Sequence, residues 1–157
     1  MADDPTGIRN FQRLDPRTTT SGRLRDEDLE ALAAIGVGHV VNLALDDHPE
    51  ALAGEAGKLA ARGIGYTHIP VPFADPREEH YAAFVAALDG ASDTPVHVHC
   101  IMNYRVSAFF YRSHRGRGMS EAEARGLLEA QWAPDKSDRP EAGPWARFLS
   151  AAGDAEG

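Results

Sequence analysis

Four short apolar runs alternate with stretches of helical periodicity, and that alternation leaves few architectures open. Ile8 to Leu14, His39 to Leu45, Tyr66 to Val71 and Val96 to His99 read as strands. Asp26 is placed to N-cap a helix carrying Leu29, Leu32, Ala33 and Ile35, which stops at Gly36. Pro49 opens a second helix with Leu52, Ala56, Leu59 and Ala60 on one side and Gly63 at its end. Pro76 starts a third, bearing Tyr81, Phe84, Val85 and Leu88. After the last strand the pattern is helical throughout. One helix begins at Arg105. Another follows a capping box of Ser120 and Glu123 and carries Ala124, Leu127, Leu128 and Trp132. A short one holds Trp145, Phe148 and Leu149. Strands alternating with helices predict an α/β fold, with a mostly parallel central sheet of about four to five strands flanked by helices. In such sheets ligands bind beyond the carboxyl ends of the strands.

The 157 residues suit a single domain, with an ordered core from about residue 8 to about 149 and an acidic tail from Ala151 that is expected to fray. A net charge of -8 argues against nucleic acid and anionic membranes as partners, so an anion site must be a local positive feature. The opening Met1-Ala2-Asp3-Asp4-Pro5 lacks the basic and apolar parts of a signal peptide, and no apolar run reaches bilayer length. With one cysteine, neither an internal disulfide nor a multi-cysteine zinc site can form. A lone reduced thiol suits the cytoplasm.

That cysteine stands at the carboxyl end of the last predicted strand. In His99-Cys100-Ile101-Met102-Asn103-Tyr104-Arg105-Val106-Ser107 a strand enters, a tight loop turns and a helix leaves. Free backbone N–H groups and the positive end of the helix together make an anion cradle from residues Ile101, Met102, Asn103, Tyr104, Arg105 and Val106. The same field favours thiolate over thiol and so makes a nucleophile facing a bound phosphoryl group. A guanidinium can grip two phosphate oxygens. An isolated cysteine is more often a small buried apolar residue; the strand, His99, Asn103, Arg105 and Ser107 around this one favour the functional reading.

His-Cys, a short loop, Arg and a hydroxyl residue resemble the loop of the protein tyrosine and dual-specificity phosphatase superfamily. More narrowly, the chain resembles the bacterial phosphatase-like group related to the phosphatase domain of beta-lactamase-hydrolase-like proteins. The resemblance is carried by Ile8-Arg9-Asn10-Phe11, Thr20-Ser21-Gly22, Val40-Val41-Asn42-Leu43, His68-Ile69-Pro70-Val71, Val98-His99-Cys100, Arg105-Val106-Ser107-Ala108-Phe109 and Trp132-Ala133-Pro134-Asp135. It implies a nucleophilic Cys100, a phosphate-binding Arg105, a Ser107 that hydrogen-bonds the thiolate, a His99 that supports the loop from behind, and no cofactor. One departure stands out. The superfamily loop has five residues between Cys and Arg, and this chain has four, while Ser107 keeps the usual distance from the cysteine. The arginine thus sits one position early, a turn of about 100° on a helix. Asn103 stands where a glycine is often found, and Asn tolerates left-handed backbone.

Phosphoryl transfer to cysteine needs an acid for the leaving oxygen. The resemblance points to Asp75, in Pro70-Val71-Pro72-Phe73-Ala74-Asp75-Pro76, which is also an ideal N-cap. Glu78, Glu79 and His80 are the alternatives. Asp46, Asp47 and Glu50 lie beyond another strand, where a turn is the better reading. Among seven histidines no metal-ligand spacing appears, and His97 and His99 are expected to face opposite sides of their strand. Arg112, Arg115 and Arg117 read as a solvated basic face.

Three functions follow in order. The first is a cysteine-dependent phosphomonoesterase acting on a phosphoprotein or small phosphomonoester, with inorganic phosphate or sulfate able to occupy the loop. The second is a weak or inactive phosphate-binding regulatory module. The third is a rhodanese-like sulfurtransferase, whose shorter loop suits the four-residue spacing.

Overall fold

The computed structural model describes residues 3–91 and 93–156, with side chains as far as Ala151. Five strands form one sheet: β1 (Gln12–Asp15), β2 (Thr18–Ser21), β3 (His39–Asn42), β4 (Gly65–His68) and β5 (Val96–His99). Their order is β1-β2-β5-β3-β4. β1 and β2 form an antiparallel hairpin, and every other pairing is parallel. The helices are α1 (Asp26–Ala34), α2 (Glu55–Ala60), α3 (Glu78–Gly90), α4 (Tyr104–Gly116), α5 (Glu121–Glu129) and α6 (Ala142–Glu156).

Several boundaries differ from the sequence reading, each for a local reason. The first apolar run yields β1 only from Gln12, and the polar Thr18–Ser21 strand pairs beside β5, where Thr19 and Thr20 are buried. Asp26 is the first residue of α1 rather than its cap. The Arg25 N–H is satisfied by Asp28 Oδ2 at 2.8 Å. Gly36 ends the helix with φ +90°, a conformation that disfavours any side chain. Helix α2 begins six residues after Pro49, behind Gly54 at φ +68°. Ser120 does cap α5, with its Oγ accepting from the Glu123 N–H at 3.2 Å.

Alternation along the central strands divides the core in two. Val40 joins Ile8, Leu24, Leu29, Leu32 and Leu59 on the α1–α2 face. Val41 and Val98 join Phe84, Phe109, Phe110, Trp145 and Phe148 on the other. In β5 the valines therefore face the aromatic core, and both histidines face the opposite side. The expectation that His97 and His99 point apart is corrected here: side chains two apart share a face, and the two rings stack with centroids 6.3 Å apart. Arg112 is also buried rather than solvated. It lies over Tyr81 and Phe148, and both its terminal nitrogens reach Glu78. Among the described residues no helix is long and apolar enough to cross a membrane.

Candidate active site

Strand β5 delivers Cys100 to the carboxyl edge of the sheet, between β2 and β3. The Cys100 N–H reaches Ser21 O at 3.3 Å, and His99 O accepts from the Leu43 N–H at 2.8 Å. The loop after it is braced by two neighbouring segments. Ile101 O accepts from the Arg23 N–H at 2.9 Å. Gly22 lies so close that an added Cβ would come 2.4 Å from Ile101 O, which explains a glycine there. Asn10 Nδ2 donates to Met102 O at 2.9 Å. Asn103 returns the contact, with its Nδ2 donating to Asn10 O at 2.9 Å and to Thr20 Oγ1 at 3.0 Å. Asn103 takes φ +67°, the left-handed conformation expected for this position, and α4 starts at the next residue.

The loop leaves a row of donors open. Among the described residues, none of the main-chain N–H groups from Ile101 to Val106 donates to a protein acceptor, whereas the Ser107 N–H bonds Asn103 O at 3.0 Å. Six consecutive unsatisfied N–H groups at a helix start are what an anion needs. Cys100 and Arg105 line the same cavity of about 460 Å³, together with Leu45, Asp47, His48, Phe73 and Tyr104. The early arginine thus still reaches the cysteine's cavity. It is buried, its Nη1 donates to Val71 O at 2.9 Å, and its guanidinium lies 5.6 Å from the Phe73 ring centre.

Behind Cys100 lies a buried polar layer. His99 Nε2 is 2.6 Å from Glu55 Oε2, and Nδ1 is 3.2 Å from Cys100 O. A carbonyl only accepts, so Nδ1 carries a proton, and a second proton lies between Nε2 and the carboxylate. Asn42 Nδ2 adds a long contact to Glu55 Oε1 at 3.4 Å and donates to Tyr66 Oη at 3.1 Å. His97 bridges Thr19 and Ser21, each at 2.8 Å. Ser21 Oγ donates to Gly22 O, so His97 Nε2 is the donor to Ser21 and Nδ1 accepts from Thr19. Burial, and then the neighbouring His99, holds the His97 pKa well below its ordinary value. Glu55 has no place in the sequence reading, which names only the apolar Leu52, Ala56, Leu59 and Ala60 of this helix. Glu55 is instead the first residue of α2 and is buried.

The other expected residues are not gathered at this cavity. Asp75 lines a separate cleft with Pro76, Glu78, Arg147 and Phe148, and its carboxylate accepts from Arg77 Nε at 2.8 Å. Glu78 is bound by Arg112, Glu79 lies 3.7 Å from Arg77, and His80 Nδ1 accepts from the Arg77 N–H. All four are thus engaged, three by Arg77 before α3 and Glu78 by Arg112 of α4. Ser107 Oγ donates to Tyr104 O at 3.1 Å and lines a different small cavity beside Gln12 and Thr20, so the expected contact with Cys100 is replaced by a helix back-bond. Asp47, read as part of a turn, does line the cysteine's cavity, and so does His48. His48 Nδ1 accepts from the Glu50 N–H at 3.0 Å, which leaves Nε2 as its free donor. Among the described residues no three His, Cys, Asp or Glu side chains gather into a metal-holding group.

No family model matches the sequence, and no curated protein does. Solved structures match well. A candidate phosphatase (DUF442) from Shewanella putrefaciens CN-32 has a TM-score of 0.81 at 28% identity, over 95% of this chain and 92% of that one. TpbA from P. aeruginosa has a TM-score of 0.72 at 20% identity, over 98% and 93% of the two chains. The core catalytic domain of the S. cerevisiae PP-IP phosphatase SIW14, in complex with citrate, has a TM-score of 0.71 at 12% identity, over 95% and 94%. The fold is that of the protein tyrosine and dual-specificity type of cysteine phosphatase. Among proteins of that fold, the chain is similar to a DUF442 phosphatase-like protein.

Proposed function

We propose that this protein, as a single domain, hydrolyses phosphate monoesters through a phosphocysteine intermediate on Cys100. The observation that carries the reading is the row of six free N–H groups from Ile101 to Val106, in a loop that begins at Cys100 and shares its cavity with Arg105. The N–H groups and the guanidinium hold the phosphoryl oxygens. The Cys100 thiolate attacks phosphorus, the bond from phosphorus to the ester oxygen breaks, and that oxygen takes a proton from an acid. Water then attacks the phosphocysteine, the S–P bond breaks, and inorganic phosphate leaves with the thiolate restored. His99 supports the loop through the Cys100 carbonyl. For the acid, Asp47 has the advantage of lining the cavity. Asp75 would serve only after leaving Arg77 and swinging across. Substrates are phosphoproteins or small phosphomonoesters; a TpbA structure at 17% identity holds pTyr. A thiolate nucleophile suits a reducing compartment such as the cytoplasm.

The test is turnover of a radiolabelled aryl phosphate with an acid quench. Wild type should release phosphate and carry label on Cys100, and Cys100→Ser should do neither. Turnover no greater than that of Cys100→Ser across several aryl phosphates, with phosphate still bound, would leave the regulatory module as the answer.

A further inference from the structure

Two guanidinium groups rest on one aromatic wall of the cysteine's cavity. Phe73 and Tyr104 form that wall, backed by the buried Trp132: Tyr104 stacks on Trp132 with centroids 4.6 Å apart and planes 8° apart, and Phe73 meets Trp132 at 5.6 Å. Indole hydrogen bonds pin it, from Trp132 Nε1 to Tyr104 O at 3.0 Å and from Trp145 Nε1 to Phe73 O at 2.6 Å. Arg105 lies against Phe73, buried. Arg139 lies against Tyr104 with its guanidinium 5.6 Å from the ring centre, exposed, and it lines the same cavity.

Arg139 has no acidic partner among the described residues. Arg9 and Arg23, at the same end of the sheet, are both engaged by Glu50. The cavity, at about 460 Å³, falls in the range of ~300–1,000 Å³ typical of small-molecule sites. Leu45, Pro49, Phe73, Met102 and Tyr104 supply apolar surface in the cavity that the two cations line. An unpaired cation resting on a ring, in a chain of net charge -8, is a local anchor for a second anion.

We propose that Arg139 forms a second anion-binding subsite, so that the substrate is a phosphate monoester whose organic body carries another negatively charged group, a carboxylate or a second phosphate. This rests on the reading of Cys100 and Arg105 as the phosphoryl site, and it adds specificity to that site. The scissile phosphate sits at Arg105, the organic body lies along Phe73 and Tyr104, and the second charge meets Arg139.

The test measures binding separately from turnover. Calorimetry on Cys100→Ser compares phenyl phosphates carrying a carboxylate, a second phosphate or a neutral carboxamide at the far end of the ring. The charged compounds should bind about fivefold more tightly than the carboxamide, as expected for an exposed charged pair. That preference should fall to about one in Cys100→Ser/Arg139→Met and largely return with Arg139→Lys. The carboxylate and phosphate arms show which anion is preferred. Equal binding of all three compounds, or a preference unchanged in Arg139→Met, would overturn the subsite. Wild-type turnover without the preference removes only the subsite, whereas the preference without turnover removes only the hydrolase reading.

Discussion

Behind Cys100, both nitrogens of His97 and of His99 have partners within 3.2 Å, and Glu55 is shared by His99 and Asn42. In front of it, Asp47 and Arg139 have no ion-pair partner among the described residues, and six N–H groups lack acceptors. The rear layer completes itself when the chain folds. The front is completed only by a ligand. Substitutions behind the cysteine should therefore register first as lost stability, and those in front as lost chemistry. The largest effect is expected at Glu55. Glu55→Ala strands His99 in a buried site, and removing one partner of such a pair costs about 3–5 kcal/mol. Glu55→Gln keeps an acceptor for Nε2 and should recover most of that loss. Urea denaturation reads both. An Ala variant within about 1 kcal/mol of wild type would show that the rear layer does not carry the load assigned to it.

Next is the acid. Asp47→Asn should lower kcat on phenyl phosphate about a hundredfold, the lower end for a missing general acid, and much less on 4-nitrophenyl phosphate, whose leaving oxygen needs little help. Neither variant should move the urea midpoint, because both carboxylates are exposed. Asp75→Asn should stay within about threefold on both substrates. The opposite ranking would assign the acid to Asp75 and require the turn before α3 to swing toward the cavity.

The difference between front and rear also explains what the sequence made legible. Strands β3 and β5, the loop from Cys100 and the start of α4 could be read because apolar runs, a turn residue and a helix follow one another within a few positions. The alternation of β5 was legible too, and misapplied: His97 and His99 share a face, and that face is the rear layer. Glu55 and Arg112 were opaque for another reason. Each is a charged residue buried by a partner distant in sequence, His99 and Glu78, and no local pattern reports a contact of that range. Asp47 and Asp75 look alike as strand-end carboxylates. What separates them is Arg77, which engages one and leaves the other at the cavity.

The smallest effect expected is a pH dependence of stability that belongs to the rear alone. His97 is neutral in the fold, its pKa pushed well below the ordinary 6.5 by burial and then by His99. The unfolded chain takes up that proton near pH 6.5 and the folded chain does not. Folding therefore loses stability as pH falls below about 6.5, at up to about 1.4 kcal/mol per pH unit for one proton. Around the ring lie Thr19 and Ser21 from β2, the stacked Phe11, and His99 with its Glu55. His39 and His114, whose pKa values burial also lowers, add slope of the same sign. Urea midpoints between pH 7 and pH 5 should thus fall in wild type and fall by about one proton's slope less in His97→Gln. Asp47→Asn should leave the wild-type slope intact, since that carboxylate is exposed at the front cavity, away from the rear layer. An equal slope in His97→Gln and wild type would mean that the proton uptake lies elsewhere and that burial does not hold His97 neutral.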